Sequence, residues 1–356
     1  MDLNTLKITP EILNLIAEID EFKGSWKALG TLAPERLAAL RKVATIESIG
    51  SSTRIEGAKL SDRQIETLLS NIDHQSFTTR DEQEVAGYAD VMQILFDSWE
   101  TIPISENYIQ QLHSILLQYS NKDDSHRGQY KSVDNHIALK DTASHKAFDA
   151  NGKSLGVLSM TASPMMTPIL MRELVEWTRD AYTDRQLHPL LIIGLFIVRF
   201  LAIHPFQDGN GRLSRIVTTL LLLKSGYTYV PYSSLETVIE DNKDGYYLAL
   251  RRTQKGLDAD NPDWNPWLVF FLHSLKRQKD RLEMKLEREK IMRSSLPQLS
   301  VSILELAKEH GRITTKEIEN YTQASRSTIK TRINELIEMK KLARNGKGRS
   351  TWYSLM

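Results

Sequence analysis

The stretch PLLIIGLFIVRFLAIHPFQDGNGRLSRIVTTLLLLKSG, residues 189–226, places a short polar segment between two strongly apolar ones. The apolar flanks indicate two buried helices joined by a turn. Pro205 directly follows His204 and ends the first helix, because a proline disfavours helical backbone in the residue before it. The second helix is predicted to start near Asn210 and to end near Lys224. The polar segment therefore lies at the N-terminus of a buried helix.

This helix start carries groups suited to binding a polyanion. The backbone N–H groups of Gly209, Asn210 and Gly211 have no partner within the helix, and the helix dipole adds positive potential there. Arg212 and Arg215 are three residues apart, so they share a helix face beside the same N–H groups. An anion with two or more phosphates would satisfy both arginines.

Two further groups in the segment suggest chemistry rather than binding alone. Asp208 would repel a polyphosphate unless a divalent cation lay between them, and a carboxylate plus phosphate oxygens is a usual set of ligands for Mg²⁺. His204 is the group here that can exchange a proton near neutral pH. The alternative is a capping histidine in a loop with incidental charges. The combination of base, acid, N–H groups and paired arginines favours the functional interpretation.

The composition is that of a globular protein with two or three domains. The chain has 356 residues, of which 41% are hydrophobic and 26% charged, with a net charge of +1. It has no cysteine, which excludes disulfides, thiolate metal sites and cysteine nucleophiles. Residues 189–203 are fewer than the roughly 20 that a membrane span needs. We expect a cytoplasmic protein with no membrane partner.

Helical periodicity predicts a mainly α fold. Pro34 is placed to begin one helix and Ser105 to cap another. Between Asn135 and Pro164 the helical period is lost, and the turn signal DANGKS predicts a β-hairpin.

The C-terminal part is predicted to be separate. Residues 276–293 have the charge pattern of an exposed linker helix, and residues 294–356 show three helices followed by two short strands. This order resembles a winged helix-turn-helix. From Arg326 onward there are eight basic residues against two acidic ones, a balance that suits contacts with DNA phosphates. The alternative is that this module packs on the core or mediates homodimerisation.

The segment HPFQDGNGRLSR, residues 204–215, resembles the signature of the Fic (Fido) family at every specified position. Weaker similarity covers ISENYIQQLHSILL and RGQYK upstream of residue 132, MRELVEW, and DNKDGYYLAL downstream of the signature. The resemblance implies a Fic-type helical core over residues 101–275, with the hairpin as a flap that docks the target protein as an added strand.

The resemblance also implies an activity, the transfer of AMP from ATP to a Ser, Thr or Tyr hydroxyl of a protein, or of the enzyme itself, with release of pyrophosphate. By similarity His204 is the base and Asp208 holds Mg²⁺, while Tyr246 lines the adenine pocket. The N–H groups and Asn210 orient the phosphates, and the remaining phosphate ligands are the two arginines of the signature, Arg212 and Arg215.

An acidic residue in the N-terminal helical region, residues 1–100, gains meaning from the same resemblance. Taken alone, Glu56-Gly57 indicates only a helix end. Ser52 and Glu56 together resemble the inhibitory motif of the family, in which the glutamate pairs with the second signature arginine, here Arg215, and blocks the γ-phosphate. The alternatives are a de-AMPylase, another phosphate-group transferase on the same scaffold, or a nucleotide-sensing regulator that binds DNA.

Overall fold

The computed structural model describes residues 1, 3–28, 34–70, 77–138, 157–257, 262–294, 296–346 and 348–356, and it is mainly helical, as predicted. Two compact units are present, Met1–Leu282 and Glu283–Met356. The helices of the first unit are α1 Pro10–Ala28, α2 Pro34–Ile55, α3 Asp62–Ser70, α4 Arg80–Ser98, α5 Glu106–Leu116, α6 Thr167–Asp184, α7 Pro189–Ile203, α8 Asn210–Lys224, α9 Leu235–Glu240, α10 Lys243–Gln254 and the start of α11 Asn265–Ser294.

Helices α7 and α8 form the centre of the first unit, as the opening stretch predicts. Nearly all of α7 is buried, and it packs against α6, α8 and α10. A glycine in α7 allows α11 to approach closely, because a Cβ at Gly194 would lie 2.7 Å from Leu268. Trp267 of α11 also donates its indole N–H to the Gly194 carbonyl at 2.7 Å. These contacts pack the N-terminal half of α7 tightly against α11.

Several helix boundaries follow the local signals in the sequence. Pro34 begins α2, and the Ser105 side chain caps α5 by accepting the N–H of Tyr108. The capping box of α4 uses Thr79 and Glu82, so that the start of this helix is also fixed locally. The first turn of α4 approaches the site described below.

The predicted hairpin is present as two short strands, β1 His136–Ala138 and β2 Val157–Met160. They pair antiparallel, with His136 opposite Met160 and a register shift between Ile137 and Ala138. The turn signal DANGKS lies outside the described residues. The hairpin therefore leaves and re-enters the helical core at Asn135 and Thr161.

The second unit has the element order predicted for residues 294–356. Its helices are α12 Gln298–His310, α13 Thr315–Thr322 and α14 Arg326–Glu338, followed by the antiparallel strands β3 Leu342–Asn345 and β4 Trp352–Leu355. Its own apolar core includes Ile303, Ile318, Ile329, Ile333 and Leu336. Ser325 caps α14, its side chain accepting the N–H of Thr328. Among the described helices of the whole chain, none combines the length and apolar character needed to cross a bilayer.

Candidate functional site

His204 caps the C-terminal end of α7 in a left-handed conformation, with φ 52° and ψ 62°. Its backbone N–H donates to the Phe200 carbonyl at 2.9 Å, which closes the helix. The imidazole Nδ1 lies 3.3 Å from the Leu201 carbonyl. Because a carbonyl only accepts, Nδ1 carries the proton in this contact and Nε2 keeps its lone pair. Burial lowers the pKa of His204 to about 4, so the ring is neutral at neutral pH.

Asn210 and His113 fix the loop between His204 and α8. The buried Asn210 amide bonds Phe206 twice, accepting its N–H at 2.9 Å and donating to its carbonyl at 2.7 Å. His113 of α5 stacks on the Phe206 ring at 3.9 Å between centroids. Its Nδ1 accepts the Gly128 N–H, so Nε2 carries a proton and donates to the Asp208 carbonyl at 2.9 Å. Both polar atoms of the Asn210 side chain are thus used within the loop. The group of Asn210 that remains for a ligand is its backbone N–H.

Sequence reasoning did not single out His113. It is fully buried, and burial lowers its pKa to about 4. In the sequence, His113 stands next to Leu112 of the apolar stripe of α5, and this position indicates burial. It does not indicate the hydrogen bond to Asp208, which is 95 residues away.

The N-terminus of α8 is an anion site without a side-chain cap. Gly209 occupies the cap position with φ 78°, a conformation that favours glycine. The first hydrogen bond of the helix runs from Leu213 to Gly209, which leaves the preceding N–H groups without a helical partner. A Cβ at Gly211 would lie 2.2 Å from Oε1 of Glu56. The carboxylate of Glu56 therefore lies directly against the first turn of α8.

The Glu56 cluster, defined as Glu56, Ser52 and Arg215, joins the end of α2 to α8. Arg215 donates to Glu56 Oε1 at 2.7 Å, to the Ser52 hydroxyl at 2.8 Å and to the Ser52 carbonyl at 2.9 Å. Burial opposes the charge on Glu56, but the Arg215 guanidinium prevails and holds the pKa of Glu56 below its ordinary value. Arg215 is 3% exposed, and its second terminal nitrogen has no hydrogen-bond partner among the described residues.

The chain segment that carries Glu56 is itself anchored. Arg54, two residues earlier, makes a bidentate ion pair with Glu240 of α9 at 2.7 and 3.0 Å. Its other terminal nitrogen donates to Asp62 at 2.8 Å. Gly57 then turns the chain with φ 107°. The position of Glu56 against α8 is thus set by a helix end held on both sides.

The Asp208 cluster, defined as Asp208, Arg80, Glu84 and Arg212, forms a closed ring of ion pairs on the other side of the α8 N-terminus. Asp208 Oδ2 accepts from Arg80 at 2.5 Å and from Arg212 at 3.3 Å. Glu84 lies 2.8 Å from Arg80 through Oε1 and 3.1 Å from Arg212 through Oε2. Arg80 and Glu84 belong to the first turns of α4. Sequence reasoning missed both, because Arg80 and Asp208 are 128 residues apart.

Asp208 is the candidate metal ligand from the sequence, and its chemistry fits Mg²⁺ in one respect. It is a single carboxylate, 39% exposed, beside an anion site that would supply phosphate oxygens. Among the described residues there is no group of three or more acidic or histidine side chains that could hold a metal by itself. A cation bound here would therefore take most of its ligands from phosphate and water.

Tyr246 lies behind Arg215 in the core. It is 3% exposed, and its ring contacts Trp267 and Phe270. Burial raises the pKa of its hydroxyl, and the neighbouring Arg215 guanidinium opposes that shift. Tyr246 thus packs in the core beside Arg215. The remaining predicted site residues, those of the signature together with Ser52 and Glu56, lie together at the α8 N-terminus.

Residues 103–222 match the family model described as Fic/DOC family. Among curated proteins, the protein adenylyltransferase and cysteine protease IbpA of Histophilus somni is 23% identical over 257 residues, which is 64% of this chain and 6% of that protein. A probable protein adenylyltransferase of Aquifex aeolicus is 33% identical over 93 residues, 26% of each chain. The protein adenylyltransferase Fic of Drosophila willistoni is 29% identical over 112 residues, 32% of this chain and 20% of that protein. The matched parts thus span 6%, 26% and 20% of the lengths of these three relatives.

Solved structures share the fold. A Fic family protein from Desulfovibrio desulfuricans G20 superposes with a TM-score of 0.62 at 24% identity, covering 99% of this chain and 98% of that one. A Fic domain containing signaling protein from Bacteroides thetaiotaomicron gives a TM-score of 0.59 at 23% identity, covering 74% and 94%. At these identities the likeness concerns the fold.

Proposed function

We propose that this protein transfers AMP from ATP to a Ser, Thr or Tyr hydroxyl of a target protein or of itself, and that Glu56 holds it inactive. The proposal is supported by the match to the Fic/DOC family model, by relatives named protein adenylyltransferases, and by the geometry around α8. The observation that carries it is the 2.7 Å ion pair between the buried Arg215 and Glu56, beside a helix N-terminus suited to phosphate.

In the proposed reaction the target hydroxyl oxygen attacks the α-phosphorus of ATP. A bond forms between that oxygen and the phosphorus, the bond to the β-phosphate oxygen breaks, and pyrophosphate leaves with the electron pair. His204 Nε2 accepts the hydroxyl proton, because Nδ1 is already protonated towards Leu201. The negative phosphates raise the pKa of the imidazole in the complex, which makes it a better base than in the free protein.

The start of α8 orients the phosphates in this proposal. The N–H groups of Gly209, Asn210 and Gly211 and the Arg212 side chain bind phosphate oxygens, and Arg215 binds the outermost phosphate. Asp208 would hold Mg²⁺, which supplies neutralisation of the phosphate charge when bound. The backbone N–H groups are held in place by the loop contacts of Asn210 and His113, so these donors need little reorganisation during the reaction.

Glu56 inhibits in this scheme by occupying the place of the outer phosphate. Its carboxylate takes the Arg215 guanidinium and adds a negative charge where a polyanion must enter. ATP that binds in its presence would turn its α-phosphate away from in-line attack. Activation therefore requires Glu56 to leave the first turn of α8.

The proposal is tested by mass spectrometry of the Glu56→Gly protein after incubation with ATP and Mg²⁺, alone and with cell lysate. We expect a mass increase of one AMP on the protein or on a lysate protein, and none with Glu56→Gly/His204→Ala. Loss of AMP from a pre-modified protein without any gain would favour the de-AMPylase alternative. Transfer of a different group would favour another transferase on the same scaffold.

The second unit carries a second candidate function, DNA binding. Four basic side chains of α14, β3 and the segment between them are exposed. Arg326 and Lys330 belong to α14, Lys340 lies between α14 and β3, and Arg344 belongs to β3. We propose that these exposed basic residues contact DNA phosphates, with the second unit acting as a winged helix. The test is a mobility shift of duplex DNA by the full chain at several salt concentrations. A shift that weakens with salt and is reduced in Arg326→Ala/Lys330→Ala supports it, and no shift at low salt contradicts it.

A further inference from the structure

Lys131 is a buried cation at the base of the hairpin. It is 3% exposed, and its Nζ donates three hydrogen bonds, to Asn135 Oδ1 at 2.8 Å, to Thr161 Oγ1 at 3.0 Å and to the Ile203 carbonyl at 3.0 Å. Asn135 directly precedes β1, Thr161 directly follows β2, and Ile203 directly precedes His204. One ammonium group therefore joins both ends of the hairpin to the end of α7.

Further hydrogen bonds extend this junction into the loop after His204. Asn135 Nδ2 donates to the Phe206 carbonyl at 2.8 Å, and the Lys131 backbone N–H donates to the Pro205 carbonyl at 2.9 Å. Thr161 closes the hairpin base by donating to the Asn135 carbonyl at 2.7 Å. The backbone on both sides of His204 is thus bonded to the hairpin base.

The choice of a lysine here is informative. Burial disfavours the charge and lowers the pKa of Lys131 to about 8, and the three hydrogen-bond partners of Nζ are neutral oxygens. An apolar residue would fill this position without the desolvation cost of a cation. An ammonium, however, can satisfy three acceptors from three separate chain segments at once.

We propose that Lys131 is a positioning residue that couples the base of the hairpin to His204. A protein strand docked on the hairpin then presents its hydroxyl at a fixed place relative to the imidazole. This inference rests on the proposed function for its effect on catalysis, but the coupling itself is a property of the free protein. Lys131 acts through the carbonyl of Ile203 and through Asn135, so it contacts neither nucleotide nor target in this scheme.

The coupling also has an electrostatic signature at His204. Besides the dominant effect of burial, the Lys131 charge lowers the pKa of the imidazole, while the carboxylates of Glu56 and Asp208 raise it. Removing the charge at Lys131 is therefore expected to raise the pKa of His204. A residue that served only to fill space would not change this titration.

The test uses the full chain carrying Glu56→Gly, with Lys131→Met, Lys131→Arg and Thr161→Val added singly. Thr161→Val keeps the lysine and removes one acceptor, so it covers the case in which Lys131→Met does not fold. Lys224→Met is the matched control, because Lys224 also donates to two backbone carbonyls, of Trp99 and Glu100, but lies at the far end of α8. The measurements are hydrogen exchange of residues 136–138 and 157–160, the NMR titration of His204, ATP affinity and the rate of AMP transfer.

We expect Lys131→Met and Thr161→Val to accelerate exchange in the hairpin strands, and Lys131→Met to raise the pKa of His204. The rate of transfer should fall by about tenfold or more, as small misplacements of reacting groups do, with ATP affinity unchanged. Lys131→Arg should recover part of the rate, and Lys224→Met should change none of these values.

Unchanged exchange and an unchanged His204 titration in a folded Lys131→Met protein would overturn the proposal. An equal change in Lys224→Met would overturn it as well. If no variant transfers AMP, the proposed function fails, while the exchange and titration data still decide whether Lys131 couples the hairpin to His204.

Discussion

The two charged clusters beside the α8 N-terminus differ in how their charges are balanced. The Asp208 cluster contains two arginines and two carboxylates in a closed ring, so each charge pairs with two opposite charges within the cluster. In the Glu56 cluster, the buried Arg215 pairs with a single carboxylate, that of Glu56. Arg212 and Arg215 are close in sequence and equally buried, yet only Arg215 loses its ion pair when Glu56 leaves.

This difference indicates distinct roles for the two clusters. The four ion pairs of the Asp208 cluster do not include Glu56, so they can persist when Glu56 leaves. The Glu56 cluster leaves a buried guanidinium without its carboxylate once Glu56 is displaced, and such a cation favours an incoming anion. A phosphate is the anion that the proposed function places there.

The largest expected effect lies outside both clusters, at His204. In the Glu56→Gly background, His204→Ala is expected to lower the rate of AMP transfer by about 10²–10⁴-fold, because the general base is lost. ATP affinity, which depends on α8 and the clusters, should change little, as measured by calorimetry. A variant that keeps the rate would show that the base is another group. His204→Asn is the control for backbone strain, since asparagine tolerates the left-handed conformation better than alanine.

The next effect concerns the support of the Asp208 cluster by His113. Its folded pKa of about 4 lies below the ordinary value of 6.5, so the unfolded chain binds more protons between these values. Burial of the neutral His113 ring therefore lowers the free energy of unfolding only below pH 6.5. As the pH falls from 6.5 towards 4, the free energy of unfolding decreases by about 3 kcal/mol.

Denaturant unfolding at a series of pH values measures this loss. His113→Gln should show a shallower dependence between pH 6.5 and 4 than the wild type, whereas His273, exposed and paired with Glu11, provides the control position. Equal slopes in the His113→Gln and wild-type proteins would exclude the buried, neutral state of His113.

The smallest effect probes the contact between Glu56 and Gly211. Alanine in a helix is normally about 1 kcal/mol more favourable than glycine. With Glu56 present, Gly211→Ala should destabilise, because the added Cβ would overlap Oε1. In the Glu56→Ala background the same substitution should stabilise. Denaturant unfolding of the wild type, the two single variants and the double variant gives the coupling energy between positions 56 and 211. An equal effect of Gly211→Ala in both backgrounds would mean that Glu56 does not lie against α8.

The sequence was sufficient for the parts of the fold that local signals determine. The apolar runs on either side of His204 predicted α7 and α8, and Pro34 and Ser105 marked helix starts correctly. The hairpin was predicted from the loss of helical period and the turn signal. Each of these features depends on neighbours within a few residues.

The supports of the site could not be predicted in the same way. Arg80 and His113 reach the loop only through packing of distant helices, and neither side chain stands in a pattern that distinguishes it from an ordinary helical residue. Glu56 lies at what locally resembles a simple helix end. Its pairing with Arg215, 159 residues away, was suggested only by the family resemblance.

Inhibition by Glu56 is tested by incorporation of label from ATP that is radioactive in the α-phosphate. The proteins compared are the wild type, Glu56→Gly, and Glu66→Ala, which removes an exposed carboxylate paired with Lys42 on the same unit. We expect Glu56→Gly to incorporate label at least about tenfold faster than the other two proteins, which should match each other. Equal incorporation by wild type and Glu56→Gly would contradict it.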